Sequence, residues 1–169
     1  MIIFKTDFQP TMKCWSWALK LGLVVIGIIL ILKTFAVQSL IEQIASFLLG
    51  STFIGIYIYI LSVIPSFIAI DEKGIIIKRT FDKKYIPYSI IKDVFIYNEV
   101  QSDIRYFGSN GFLGYIGIMG STIYGKYHSY VKNPKQQVFI VTQKKNYLLS
   151  CENRKQFIEE ILKKISAIK

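Results

Sequence analysis

Two long apolar runs precede a series of short alternating segments, and the rhythm changes near Pro65. From Gln43 to Ile70 no side chain is charged. Ile44 to Ile64 would rise about 31 Å as a helix, close to the thickness of a hydrocarbon core, and Pro65 supplies a stop. The first run is free of charge only from Leu21 to Leu32, which is too short to span. Extended back to Trp15 it reaches spanning length, with Lys20 and Lys33 snorkelling to the two interfaces and Trp15 and Trp17 at headgroup level. The pattern predicts an N-terminal segment 1–14 and a hairpin of membrane helices at about 15–34 and 44–64. About ten residues, TFAVQSLIEQ, join the two helices, and a separate domain covers 66–169.

In that domain SFIAI-DEKG-IIIKR reads as strand, turn, strand, with Gly74 expected at positive φ. YIPYSIIKDVFIYN reads as broken strand segments, with Pro87 excluded from a central position. QQVFIVTQKKNYLLS reads as a hairpin with Lys144 to Asn146 at its tip, and five to seven strands are expected altogether. A helix is predicted over 153–167, because Phe157, Ile158, Ile161, Leu162, Ile165 and Ile168 share one face. Asn153 and Gln156 have the spacing of a capping box, and Glu159–Lys163 and Glu160–Lys164 are i,i+4 pairs. Strands followed by one helix with an apolar stripe predict a small barrel or sandwich closed by that helix. An amphipathic helix lying on a membrane is the other arrangement the stripe allows.

Composition sharpens the placement. Hydrophobic residues make up 52% of the 169, yet the formal charge is +10, so apolar and basic residues are segregated. Lys5, Lys13 and Lys20 flank the first span, and Lys73, Lys78, Arg79, Lys83 and Lys84 follow the second, whereas the connection offers only Lys33. The positive-inside bias therefore puts both termini in the cytoplasm. No small-residue cleavage site follows the first run, which argues against a removed signal peptide. Cys14 and Cys151 form no metal spacing and no disulfide framework, and no N-x-[ST] acceptor occurs.

The glycines Gly108, Gly111, Gly114, Gly117 and Gly120 recur every third residue in GSNGFLGYIGIMG. Without proline this is no collagen repeat, and it lacks the G-x-G start of a dinucleotide fingerprint. The segment reads as a glycine-rich loop carrying Phe107, Phe112, Leu113, Tyr115, Ile116, Ile118 and Met119. Those side chains are candidates to contact a membrane partner or the bilayer interface, and packing inside the domain is the plainer alternative. GSTIYGKY, Gly120 to Tyr127, has the glycines and lysine of a phosphate-binding loop, but Tyr127 stands where a small hydroxyl belongs. The following HSYVKNPK reads as strand and turn rather than helix, so the stretch is read as the loop re-entering the sheet. His128 is the only histidine and has no acidic or thiol partner at ligand spacing. The basic residues are spread through turns and carry no RNA-binding signature. No catalysis, cofactor, metal or nucleic acid is expected.

The order of membrane hairpin, I-D-x-x-G-I, I-P-Y-S-x-I-K-D-V, R-Y-F-G-S-N-G-F-L-G-Y, V-F-I-V-T, K-N-Y-L-L-S and a closing helix resembles the bacterial pleckstrin-homology-like (PH-like) domain proteins with membrane helices ahead of the domain. The resemblance implies two roughly orthogonal antiparallel sheets capped by a C-terminal helix, in the bacterial cytoplasmic membrane. It also makes Lys73, Lys78, Arg79, Lys83 and Lys84 candidates for headgroup contact, although Lys78 and Arg79 are adjacent rather than spaced as in inositide sites. The expected function is a membrane-anchored, cytoplasm-facing binding or scaffold module. Its expected partners are the bilayer and a membrane or cytosolic protein, with homo-oligomers allowed; a regulatory subunit of a membrane enzyme or transport complex is the alternative.

Overall fold

The computed structural model describes residues 1–111 and 113–167. Two helices long and apolar enough to cross a membrane, α1 (Pro10–Ala36) and α2 (Leu40–Val63), form the hairpin. Both start earlier than the charge pattern predicts, and three residues rather than ten connect them. Lysine and glutamate mark where a hydrocarbon core would end, but they are good helix formers and do not stop the backbone. The helices approach closely at Gly27 and Gly50. A Cβ on Gly27 would lie 2.8 Å from Ile54 Cδ1, and one on Gly50 would lie 2.9 Å from the Gly27 carbonyl oxygen. Ser46 is buried one turn before Gly50, so α2 presents a small-xxx-small face to α1, as close packing of apolar helices requires. Gly50→Leu is expected to destabilise the hairpin by about 2–3 kcal/mol through overpacking. Gly55→Leu, at a position with nothing within 4 Å, should be nearly neutral. Thermal unfolding of the two purified variants in detergent checks this, and equal melting temperatures would refute the close approach.

The strand ahead of the helices is a finding the apolar pattern does not announce. β1 (Ile2–Lys5) pairs antiparallel with β2 (Pro65–Ile70), Ile2 opposite Ile70 and Lys5 opposite Phe67. Residues read as a separate N-terminal segment thus belong to the domain's first sheet. Phe4, 5% exposed, meets Phe157 edge-on with ring centroids 5.0 Å apart.

The first sheet continues through β3 (Gly74–Arg79) and β4 (Lys83–Pro87), in the order β1-β2-β3-β4. Pro87 ends the edge strand, where its missing N–H costs no ladder bond. Gly74 is not at positive φ; it is needed because a Cβ there would lie 2.4 Å from the Ile86 carbonyl oxygen. A short 3₁₀ turn, Tyr88–Ile90, leads into the second sheet, ordered β5-β9-β10-β8-β7-β6. Its strands are β5 (Ile91–Tyr97), β6 (Ile104–Gly111), β7 (Gly114–Ser121), β8 (Gly125–Val131), β9 (Gln137–Thr142) and β10 (Asn146–Ser150). Among the described residues ten strands therefore stand where five to seven were expected; the surplus includes β1 and the glycine-rich pair β6–β7. Within the otherwise antiparallel sheets, β8 and β10 run parallel.

Alternation along β9 and β10 serves two cores. Val138, Ile140 and Leu149 face the first sheet and join Ile68, Ile75, Ile77 and Ile86. Phe139 and Leu148 point the other way into an aromatic cluster with Tyr97, Tyr115 and Tyr127. Helix α3 (Arg154–Ser166) closes the first core with Phe157 and Ile161, both fully buried, while Ile158 and Ile165 pack alongside. Its stripe is occupied by protein, which removes the ground for laying it on a membrane; Leu162 stays exposed and Ile168 lies outside the described residues. Asn153 adopts φ 54° and makes no side-chain cap bond, so no capping box forms. The ion pair on the helix joins Glu160 to Lys163 at 3.3 Å rather than either i,i+4 combination.

Candidate functional site

The glycine triplets belong to a β-hairpin rather than a loop. Gly108 stands opposite Gly117 and Gly111 opposite Gly114, so a spacing of three about the tip pairs glycine with glycine across the strands. Gly108 has φ +114° and Gly117 φ +138°. A Cβ on either would lie 2.1 Å from a carbonyl oxygen of the opposite strand, which only glycine permits. On either side of the Gly108–Gly117 pair a cross-strand row runs through β6, β7 and β8: Phe107–Ile118–His128 and Ser109–Ile116–Tyr130.

All six of those residues line one cavity of about 680 Å³. Its opposite wall is the end of α2, through Ile56, Tyr59, Ile60 and Val63, with Leu19 of α1; Arg79 stands at the edge. Beneath it Ile116, 4% exposed, packs with Ile60 and Ile64, anchoring the hairpin against α2. The loop candidates therefore divide. Ile116 is spent on α2, and Tyr115 and Met119 are buried in the aromatic core, so these three offer no outer surface. Phe107 is exposed, and Leu113 and Ile118 are half-buried beside the cavity. Phe112 lies outside the described residues.

The five candidate cations divide as well. Arg79 pairs opposite Pro65, where the chain leaves α2, whereas Lys73 lies roughly 20 Å away at the other end of β3. Lys78 and Lys83 stand opposite each other on the outer face of the sheet. Arg79 alternates with Ile75 and Ile77, and Lys84 is opposite Ile77, so both leave the sheet on its inner face at the open end. The Arg79 guanidinium holds the Asp82 carboxylate through Nε and Nη2. Burial, then the charges of Lys145 and Lys84, hold the His128 imidazole below its ordinary value, which favours the neutral ring.

Two polar arrangements escape sequence reasoning because their partners are far apart in the chain. Asp103 accepts a hydrogen bond from the Tyr97 hydroxyl at 2.7 Å and another from Tyr127. Lys132, 8% exposed, donates from Nζ to the Pro65 carbonyl oxygen at 2.9 Å and stands 5.1 Å from the Phe8 ring centre. Burial lowers its pKa from 10.5 to about 8, with Asp7 opposing the shift and Lys20 adding to it. A lysine with a lowered folded-state pKa carries a penalty that is full below pH 8 and relieved as pH rises toward 10.5. Cys151, buried and pushed from 9.0 up to about 12, works in the opposite direction above pH 9. Wild-type stability is thus expected to rise between pH 8 and 9, and Lys132→Met should flatten that rise. Chemical denaturation in detergent across this range checks it; parallel profiles would refute it.

Among the described residues no three His, Cys, Asp or Glu side chains are grouped to hold a metal ion. Cys14 is exposed, and the Cys151 thiol is buried with its pKa raised. The GSTIYGKY stretch runs from the end of β7 through a turn into β8, strand to strand, which is not the strand-to-helix setting a phosphate loop needs.

No curated protein and no solved structure matches the chain. Residues 67–165, from β2 to the last turn of α3, match the model of a family described as bacterial PH domain. That match covers more than half of the sequence and the whole arrangement of β3 to β10 just described, so the chain belongs to the bacterial PH domain family.

Proposed function

We propose that this protein is a membrane-anchored, cytoplasm-facing PH-like module without catalytic activity. It holds its β domain against the inner leaflet, where it contacts anionic lipid or a protein partner. The observation that carries the reading is the double attachment of the hairpin: β1 enters α1, α2 leaves into β2, and the two strands pair. Only Ile64 separates α2 from β2, and Ile116 and Lys132 add contacts across the junction. A domain fixed at both ends of a spanning hairpin has little freedom to swing. Its Arg79 end is held near the bilayer and its Lys73 end away from it. Basic side chains near an anionic leaflet each contribute about 1 kcal/mol, which favours Lys78, Arg79, Lys83 and Lys84 over Lys73 as headgroup contacts.

The test uses exposed Lys135 as a reporter, in a Cys14→Ser background because Cys14 is itself exposed. Lys135→Cys should react with a membrane-impermeant maleimide only after the cells are opened. Labelling in intact cells would reverse the sidedness, and recovery of the chain in the soluble fraction would remove the anchor.

A further inference from the structure

The cavity between α2 and the glycine-paired hairpin is larger than packing alone explains. Its approximately 680 Å³ falls within the range of small-molecule sites, and such sites combine apolar walls with a few convergent polar groups. Here the walls are Ile56, Tyr59, Val63, Phe107 and Ile118, and the polar groups gather at one end around Arg79, His128 and Tyr130. Tyr59 is 52% exposed and Phe107 61%, so apolar surface continues out of the mouth on both sides. One wall is the lateral face of a helix apolar enough to span; with that helix in the bilayer, an opening beside its face would communicate with hydrocarbon rather than with water. At the sheet end Arg79 and Lys84 leave the inner face beside the carboxylate of Asp82, whereas Lys78 and Lys83 stand on the outer face. An occupant entering from the bilayer thus meets an apolar slot first and an excess of positive charge at its end.

We infer that this cavity takes up one acyl chain of an anionic phospholipid from the adjacent leaflet, with the headgroup held at the Arg79 and Lys84 end. The inference rests on the membrane-anchored reading and deepens it by naming the ligand and the place. A neutral amphiphile would satisfy the apolar walls and leave the charge excess uncompensated. A soluble anion would satisfy the charge and leave the slot exposed.

The experiment places the full chain in phosphatidylcholine nanodiscs containing a minor fraction of phosphatidylglycerol with a diazirine in its tail. Irradiation and peptide mapping follow. Labelling is expected to concentrate on Tyr59, Val63 and Ile118, relative to Ile29 and Leu48 on the exposed faces of the helices. Phosphatidylcholine carrying the same diazirine should label the cavity about fivefold less, the factor that corresponds to ~1 kcal/mol from one basic residue. Ile118→Trp, which fills the slot, should abolish the label on Tyr59 and leave Ile29 unchanged. Uniform labelling of cavity and exposed helix faces overturns the inference, as does protein–protein crosslinking in place of lipid labelling at these residues. The wild-type map decides if Ile118→Trp does not fold. Flotation with liposomes runs in parallel: a chain that floats but labels uniformly refutes the lipid site alone. A chain that does not float refutes the anchor and the site together.

Discussion

Gly117→Ala is expected to lower the stability of the protein by about 3–5 kcal/mol, although it adds one methyl group at a half-buried position. The new Cβ would stand 2.1 Å from the Phe107 carbonyl oxygen and 2.8 Å from the Gly108 Cα, so the backbones of β6 and β7 must separate. Holding a non-glycine residue at φ +138° adds strain of roughly 1–3 kcal/mol. Gly111→Ala supplies the comparison. Its φ of +111° carries similar strain, but nothing lies within 4 Å of the added atom, so about 1–2 kcal/mol is expected. The double variant Gly108→Ala, Gly117→Ala should cost less than the sum of its parts, since both substitutions break the same cross-strand pair. Thermal unfolding followed by circular dichroism in detergent reads these three variants and Gly108→Ala alone. If Gly117→Ala and Gly111→Ala melt together, the close approach of the strands is wrong. Because Phe107 and Ile118 stand beside this glycine pair, separation of the strands would also remove one wall of the cavity.

The same hairpin shows where the sequence is legible and where it is not. The two long apolar helices, the β2–β3 and β9–β10 hairpins and α3 follow from local patterns: unbroken apolar runs, alternation around a turn, and a stripe at helical spacing. β6 and β7 hide because their alternation is interrupted by glycines, which score as loop residues one at a time. Their meaning lies in the mirror arrangement about the tip, which places glycine against glycine. β1 hides for a different reason. Four residues, IIFK, have no turn beside them, and their partner Pro65–Ile70 lies beyond two helices, so only tertiary pairing identifies the strand. The cation cluster was partly readable. Ile75, Ile77 and Arg79 share a strand parity, which already places Arg79 on the inner face, whereas the pairing of Lys84 with Ile77 needs the register. The cavity was not readable at all, because its walls come from α1, α2, β3, β6, β7 and β8.

Asp103→Ala should cost about 2–4 kcal/mol, the largest effect expected from a half-buried polar side chain in this domain. The substitution leaves two phenol hydroxyls, those of Tyr97 and Tyr127, without their acceptor. Tyr127 is 1% exposed and Tyr97 5%, so water cannot readily replace it. Tyr127→Phe should cost only about 1 kcal/mol, since Asp103 keeps Tyr97 and partial contact with solvent. Asp103→Asn keeps an acceptor oxygen and should fall between the two. The carboxylate also has a signature that a packing residue would lack. Burial, then Asp103, raise the Tyr127 pKa, so Asp103→Asn should lower it in an ultraviolet absorbance titration, while burial still holds it above its ordinary value. Equal costs for Asp103→Ala and Tyr127→Phe, with unchanged tyrosine titration, would show that the carboxylate does not clamp the phenols. The clamp sits where it is needed. Asp103 lies in the connection from β5 to β6, and Tyr97 and Tyr127 project from β5 and β8, two strands separated in the sheet by β9 and β10. Fastening that connection over Phe139 and Leu148 closes the second core and sets the point from which β6 starts. Strand β6 carries Phe107 and Ser109 into the cavity lining, so one carboxylate outside the cavity helps to place its hairpin wall.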